Sequence, residues 1–492
     1  MGGEQGRQQR KEKTHVPEIV YRACHFAPQC GALINMRLFL FFMAITLPAA
    51  EKADWIWSAG HVVTMDAARR VIVDGAVAIQ GDRILGVGTR AEIDARFKAA
   101  KRIDRRDAVI APGLIDTHTH APMSLFRGLA DDRRLQEWLE KFIFPAEAKN
   151  VDAEFVRWGT RLACLEMVLS GTTTYTDMYY FEEVIAEETK AAGLRGVLGQ
   201  TVIGFPVPDA KTPQDGLART ERFLARFQND PLIVPAPAPH AVYTTPDEIL
   251  RGARALANKY KVPMLIHLSE TKRENEESKA KRGMTPTQLL ESLGALEGRT
   301  LGAHGVWLED GDLEILKRRG VGLAHCPSSN SKLASGVARV PRILELGIAM
   351  GLGTDGFAGS NNDANLFEEM DLAAKMQKVS TLNPELLPAR QALEMATIVG
   401  ARALGLDKEI GSIEGGKRAD LILVRTDAPH AVPMYDVVSQ MVYALKGNDV
   451  NDVMVNGKPI VRDRRVLTLD AVKILAKARE YRQKVAQSVG MR

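Results

Sequence analysis

Between residues 112 and 406, apolar runs of strand length alternate with longer amphipathic stretches, the spacing of successive βα units around a parallel sheet. The runs at 114–118, 172–177, 195–201, 232–236, 264–267, 300–304, 322–325 and 349–353 predict eight strands, the number that closes an α/β barrel of the TIM type. Helix starts agree with this pattern: Thr244-Thr245-Pro246-Asp247-Glu248 offers a cap, a first-turn proline and two first-turn acids. No internal repeat or low-complexity tract interrupts the span.

The flanks read differently. Ahead of the barrel come short half-apolar runs at Val62-Val63-Thr64-Met65, Val71-Ile72-Val73, Ala76-Val77-Ala78-Ile79 and Ile84-Leu85-Gly86-Val87, with a turn at Gly81-Asp82. Behind it come residues 419–424, then Val453-Met454-Val455 and Pro459-Ile460-Val461 on either side of Asn456-Gly457, a strong two-residue hairpin signal. Neither group has enough strands for a stable sheet, so the two are predicted to pack as one small β-sandwich built from both ends of the chain. The predicted domains are a leader at 1–51, sandwich parts at 52–111 and 407–468, the barrel at 112–406 and a terminal helix at 469–492.

The leader has a character of its own. Met36-Arg37 precedes the apolar stretch 38–47, and Pro48-Ala49-Ala50 follows it. A positive residue, a short apolar core and a small-residue end are the parts of a secretory signal, and the core is too short for an ordinary transmembrane helix. A signal starting at Met36 would make 1–35 an upstream extension and the protein exported or periplasmic; a plain leader would leave it cytoplasmic.

Composition narrows the function. The 492 residues are 45% hydrophobic and 26% charged, enough for one large core with an accessory domain. A net charge of +4 with no long basic block after the leader argues against nucleic acid or a membrane surface as partner and against stable membrane insertion. A small polar substrate fits better, and homo-oligomerisation stays open. Cys24 and Cys30 fall in the leader, so Cys164 and Cys326 are the cysteines of the body, which is no disulfide framework. Cys164, in a helical pattern, reads as a small buried apolar group.

The candidate chemistry begins at His118-Thr119-His120. Alternate residues of a strand project from the same face, so both imidazoles point at one spot. His267, His304 and Asp355 each end another apolar run, and strand ends meet on the C-terminal face of a barrel. His118, His120, His267 and Asp355 together make a metal set with room for a water, as hydrolysis needs. Glu270 lies three residues beyond His267, far enough for its carboxyl to turn back toward the metal. His304 suits either direct ligation or a hydrogen bond to the reacting water. With four other ligands at hand, it is assigned the second.

These stretches resemble the amidohydrolase superfamily, in particular the 5-methylthioadenosine and S-adenosylhomocysteine deaminases, with triazine chlorohydrolases and guanine deaminases as near relatives. The matching segments are Pro112 to Met123, Glu137-Trp138-Leu139, Ile266 to Thr271, Ala324 to Asn330 and Leu352 to Gly356, and the resemblance extends from about Asp54 to Arg465. Many binuclear relatives carry a bridging lysine at the end of the fourth strand, whereas this strand ends Pro237-Ala238-Pro239-His240. The resemblance therefore implies one metal, zinc by family habit, although three imidazoles and a carboxylate also suit iron, manganese or cobalt.

The resemblance also implies roles. Asp355 accepts a proton from the activated water, Glu270 protonates the purine nitrogen beside the attacked carbon, and His304 steadies the attacking oxygen. His240 matches a purine-contacting histidine, and Glu147 an acid that binds the ribose hydroxyls. Trp138, in the loop expected after the first strand, either covers the substrate or pins that loop, and His325 is expected to hydrogen-bond beneath the site. One departure bears on substrate. Relatives that take S-adenosylhomocysteine use arginines beyond the third strand, where this chain has Gln200 and no arginine from Val202 to Leu217; Arg219 and Arg222 are not alignable. The expected function is thus zinc-dependent conversion of an adenosine-type nucleoside, 5′-methylthioadenosine before S-adenosylhomocysteine or adenosine, to the inosine-type product plus ammonia. The rivals are hydrolysis of a triazine or guanine-like ring and a non-catalytic scaffold.

Overall fold

The computed structural model describes residues 50–490, and the signal-like segment from Met36 lies outside them. The chain enters through β1 (Glu51–Val63), β2 (Val71–Gln80), β3 (Arg83–Thr89) and β4 (Phe97–Pro112). β1 pairs antiparallel with β2 and parallel with β4. Most of β4 is not among the predicted strands, because its first half is charged. Only Phe97 and Ile103 are buried there before Ala108, while Arg102 pairs with Asp94 at 2.5 Å and Arg105 with Asp463. Backbone pairing to β1 holds the segment extended without an apolar alternation to advertise it.

The barrel strands are β5 (Leu114–His120), β6 (Thr172–Tyr179), β7 (Arg195–Val202), β8 (Ile233–Pro239), β9 (Met264–Leu268), β10 (Thr300–His304), β11 (Gly322–His325) and β12 (Met350–Leu352), with a short β13 (Asp355–Gly356) beside β5. Each of the eight predicted runs forms one of these strands, and they stand in the sheet in chain order, with β12 returning to β5. At the seam between β8 and β9, Pro235, Pro237 and Pro239 remove alternate N–H donors. There the His267 N–H donates to the His240 carbonyl at 3.0 Å. Ile115, Val197, Ala236, Leu265 and Leu301 pack in one apolar cluster with the pocket residue Met178.

The second flank supplies β14 (Leu421–Arg425), β15 (Val450–Val455), β16 (Lys458–Arg462) and β17 (Arg465–Val466). With the first flank they make one eight-stranded sheet, β17-β16-β15-β14-β4-β1-β2-β3. It folds over a shared core that includes Trp57, Ile79, Ile110, Leu423 and Met454, so both ends of the chain do build one accessory domain. Asn456 and Gly457 both have positive φ, 51° and 74°, as a tight hairpin turn requires.

Sheet and barrel are joined where β4 passes into β5. The Gly113 N–H donates to the Asp420 carbonyl at 3.0 Å, and the buried Asp420 carboxylate pairs with Arg195 of β7 at 3.1 Å. A Cβ on Gly113 would collide with the Thr173 side chain, whose own Cβ would lie 2.6 Å away. Gly113→Ala is therefore expected to destabilise the protein by about 1–3 kcal/mol, read as a lower urea midpoint with an unchanged m-value.

The terminal helix, Ala471–Val489, packs on the helices Ala153–Leu169 and Phe144–Asn150, and Asn150 donates to Ser488 Oγ at 2.7 Å. It thus braces the helix that carries Glu147. Among the described residues no helix is long and apolar enough to cross a membrane. Cys164 and Cys326 are free and buried.

Candidate metal centre and active site

The mouth of the barrel brings together the side chains expected as ligands. Asp355 Oδ1 lies 3.3 Å from His118 Nε2 and 3.2 Å from His120 Nε2, and the Nε2 atoms of His267 and His120 are 3.3 Å apart. The ligand atoms of His118, His120 and Asp355 lie within 4.8 Å of one another, as do those of His118, His267 and His304. Packing makes this closeness tolerable: Gly353 lies against β5, where a Cβ would stand 2.9 Å from His118. Asp116 links the two ligand-bearing segments, accepting from Thr354 Oγ1 at 2.6 Å and from the backbone N–H groups of Thr354 and His118.

The ring tautomers test whether a cation fits. His120 Nδ1 faces the Met178 carbonyl at 2.6 Å, and His267 Nδ1 faces the His240 carbonyl at 2.8 Å. A carbonyl only accepts, so each Nδ1 carries the proton and each Nε2 presents a lone pair. Two lone pairs then face each other at 3.3 Å beside a carboxylate, an arrangement that repels itself unless a positive charge sits between. Both ring nitrogens of His118 are buried without a hydrogen-bond partner; Asp355 is near its Nε2 but not aligned to bond. The donor set fits a divalent transition metal.

Electrostatics agree. Burial would lower the His120 pKa, but the Asp355 carboxylate outweighs it and pushes the ring up to about 9. Burial lowers His118 to about 4 despite Asp355, and with the neighbouring imidazoles it holds His267 well below the usual range. Asp355, which burial alone would raise, is held well below the ordinary carboxylate range by His118 and His120. The buried carboxylate among the imidazoles makes this a place that favours positive charge.

Around this centre stand the groups expected to handle protons. Glu270 is buried and its pKa is raised by that burial; its Oε2 lies 3.8 Å from His304 Nε2. Its position is fixed from behind. Glu274 Oε2 accepts the Glu270 N–H at 2.7 Å and Glu274 Oε1 the Ser269 N–H at 3.2 Å, holding Ser269 in a left-handed conformation with φ 48°. His304 faces Asn330 Oδ1 through Nδ1 at 3.1 Å, so its Nε2 is turned to the pocket as an acceptor. Ser329 Oγ donates to Asp355 Oδ2 at 2.6 Å and leaves Oδ1 to the histidines. His304 and Asp355 themselves have φ of 73° and 62°, backbone strain of the kind that accumulates at functional sites.

A pocket of about 600 Å³, its open mouth included, rises from this floor. His240 lines it, with Nδ1 2.9 Å from Thr244 Oγ1, and burial lowers its pKa to about 3. Glu147 is buried in the wall, accepts from the Tyr179 hydroxyl at 2.7 Å, and is pushed up to about 7 by burial. Trp138 both covers and pins: its ring lines the pocket while its N–H donates to the Ala358 carbonyl at 2.6 Å.

Two expectations need correction. Trp138 does not sit in a loop: Leu135–Glu137, Trp138–Ile143 and Phe144–Asn150 run on as helix, the middle part with π-type bonding, because Leu135, Leu139, Ile143 and Ala146 recur at helical spacing. His325 makes no side-chain hydrogen bond; both ring nitrogens are buried without a partner. Met178, Tyr179 and Tyr180 also line the pocket and were not foreseen, as β6 runs two residues past its predicted end.

The chain belongs to the amidohydrolase family, whose pattern matches residues 109–460. It is 45% identical over 439 residues to a 5-methylthioadenosine/S-adenosylhomocysteine deaminase of Syntrophus aciditrophicus, covering 89% of this chain and 99% of the relative. It is 42% identical over 439 residues to a 5′-deoxyadenosine deaminase of Methanosarcina mazei, with the same coverage of both chains. Among solved structures, a zinc-bound adenosine deaminase from Xanthomonas campestris superposes with a TM-score of 0.87 at 38% identity, over 89% of this chain and 100% of that one. A zinc-bound atrazine chlorohydrolase from Arthrobacter aurescens, at 23% identity and a TM-score of 0.80 over 87% of this chain and 99% of that one, shares the fold.

Proposed function

We propose that the protein is a zinc-dependent aminohydrolase that converts adenosine-type nucleosides, 5′-methylthioadenosine foremost, to the inosine-type product and ammonia. The observation that carries this reading is the convergence of three imidazoles and Asp355 with Glu270 and His304 on the floor of one pocket that has Glu147 in its wall. The relatives named as adenosine-type deaminases support it. The reading takes 112–406 as the catalytic barrel, 52–111 with 407–468 as its sheet domain, and 469–492 as the brace behind Glu147.

His118, His120, His267 and Asp355 would hold the zinc, which when bound lowers the pKa of a water toward neutrality. Asp355 is placed to take a proton from the attacking water, and His304 to orient its oxygen through the free Nε2. Glu270 gives its proton to the ring nitrogen beside the attacked carbon, so that negative charge does not build up on the purine. The proton on Asp355 passes to the amino group, which leaves as ammonia, and the new hydroxyl returns a proton to Glu270 as the carbonyl forms. Glu147 accepts from the sugar hydroxyls, and His240 contacts the purine edge.

A panel of adenosine, 5′-methylthioadenosine, guanine and a chlorinated triazine tests the reading on zinc-loaded protein. Ammonia release matched by the absorbance change from adenine to hypoxanthine is expected for the nucleosides. Chloride release from the triazine with no ammonia from any nucleoside would replace this reading with its rival, and no turnover on any would favour a scaffold.

A further inference from the structure

We propose that the pocket selects nucleosides with a small uncharged 5′ substituent and rejects those bearing a free carboxylate or phosphate there, with Phe205 at the lip as one determinant. This rests on the deaminase reading. With the reacting ring at Glu270 and the sugar hydroxyls at Glu147, the wall left for the remaining substituent is formed by Leu135, Leu139, Ile143 and Phe144. No lysine or arginine lines the pocket among the described residues. At the rim, where the pocket meets an outer groove, the ring of Phe205 stands edge-on to Phe144 with centroids 5.4 Å apart.

The cations that line the outer groove each pair with a carboxylate. In the groove, Arg273 pairs with Glu277 at 2.6 Å, Lys281 with the same carboxylate at 3.0 Å, and Arg282 with Asp247. Behind the lip, Gln200 donates to Asp209 at 2.9 Å, and Asp209 also takes the Phe181 N–H at 2.8 Å and pairs with Arg219 at 3.1 Å. Arg219 is bound by Glu183 as well and lies over the Phe181 ring at 5.0 Å. Of the two arginines left open, Arg219 is thus held by two carboxylates, and Arg222 is exposed on the same helix and lines no part of the pocket. A carboxylate or phosphate there would lose its water against apolar carbon, near the acids Glu147 and Glu270 and with no cation of the pocket wall to pair with, and poorly compensated buried charge is disfavoured.

The test compares kcat/KM for 5′-methylthioadenosine, S-adenosylhomocysteine and adenosine 5′-monophosphate on the full zinc-loaded chain, with Phe205→Arg and Phe205→Leu beside it. The wild type is expected to favour methylthioadenosine over both the zwitterionic homocysteine and the anionic phosphate nucleoside by roughly 100-fold or more. Phe205→Arg should raise the S-adenosylhomocysteine to methylthioadenosine ratio by about tenfold, one charge-assisted hydrogen bond, and Phe205→Leu should leave that ratio where it was. Comparable use of the three substrates by the wild type would overturn the selectivity while leaving the deaminase reading intact. An unchanged ratio in Phe205→Arg would overturn the assignment to Phe205, and no ammonia from any nucleoside would remove both readings together.

Discussion

Purified His267→Ala is expected to hold less than about a tenth of a zinc per chain, against about one in the wild type, and to lose at least about 10³-fold in kcat/KM. The size of the effect follows from how little freedom the site has. His267 sits on β9 with its Nδ1 bound to the His240 carbonyl, so its Nε2 lone pair can point only at the space shared with His120 and His118. Removing that ring leaves His118, His120 and Asp355 as the proposed ligands and opens one wall of the cavity. Ligand binding stabilises the native state by mass action, so a chelator should lower the wild-type melting temperature and leave that of His267→Ala unchanged. That second readout separates lost metal from a damaged fold. A variant that retained one zinc per chain would transfer the ligand role to His304, whose ring lies 5.4 Å from that of His118.

The barrel was legible in the sequence because strands buried on both faces read as nearly continuous apolar runs, and the candidate site was legible because each proposed ligand stands at or just beyond the end of one of those runs. Where this signal fails, the physical reason is visible. β4 pairs its backbone with β1 and β14 while its first half turns charge to solvent, so no alternation marks it. Tyr179 and Tyr180 follow the point where β6 seemed to end at Asp177, and a pocket wall made by strand overrun carries no periodic signature. The hold of Glu274 on Glu270 is half visible: Thr271 capping the Glu274 N–H is local chemistry, whereas the reach of the carboxylate back to the Ser269 and Glu270 amides depends on the turn between strand and helix. The pairing of Arg219 with Asp209 and Glu183 is wholly tertiary, and no spacing along the chain announces it.

Glu270→Gln is expected to keep its zinc and its melting temperature, to hold KM within a few-fold, and to lose about 10²–10⁴-fold in kcat, the usual contribution of a positioned general acid. The substitution is nearly isosteric, and the backbone that carries it is held by Glu274 through two amide hydrogen bonds rather than by the Glu270 side chain itself. The glutamine should therefore occupy the same place, 3.8 Å or so from His304, and still donate an N–H hydrogen bond to the ring nitrogen. What it cannot do is surrender a proton. Burial already raises the pKa of the Glu270 carboxyl, which favours the protonated form that the reaction needs at the moment of attack. A loss confined to kcat with metal content unchanged would thus isolate proton transfer from both binding and ligation. Turnover at the wild-type rate would move the proton source to another group, with Asp355 the remaining acid against the reacting centre.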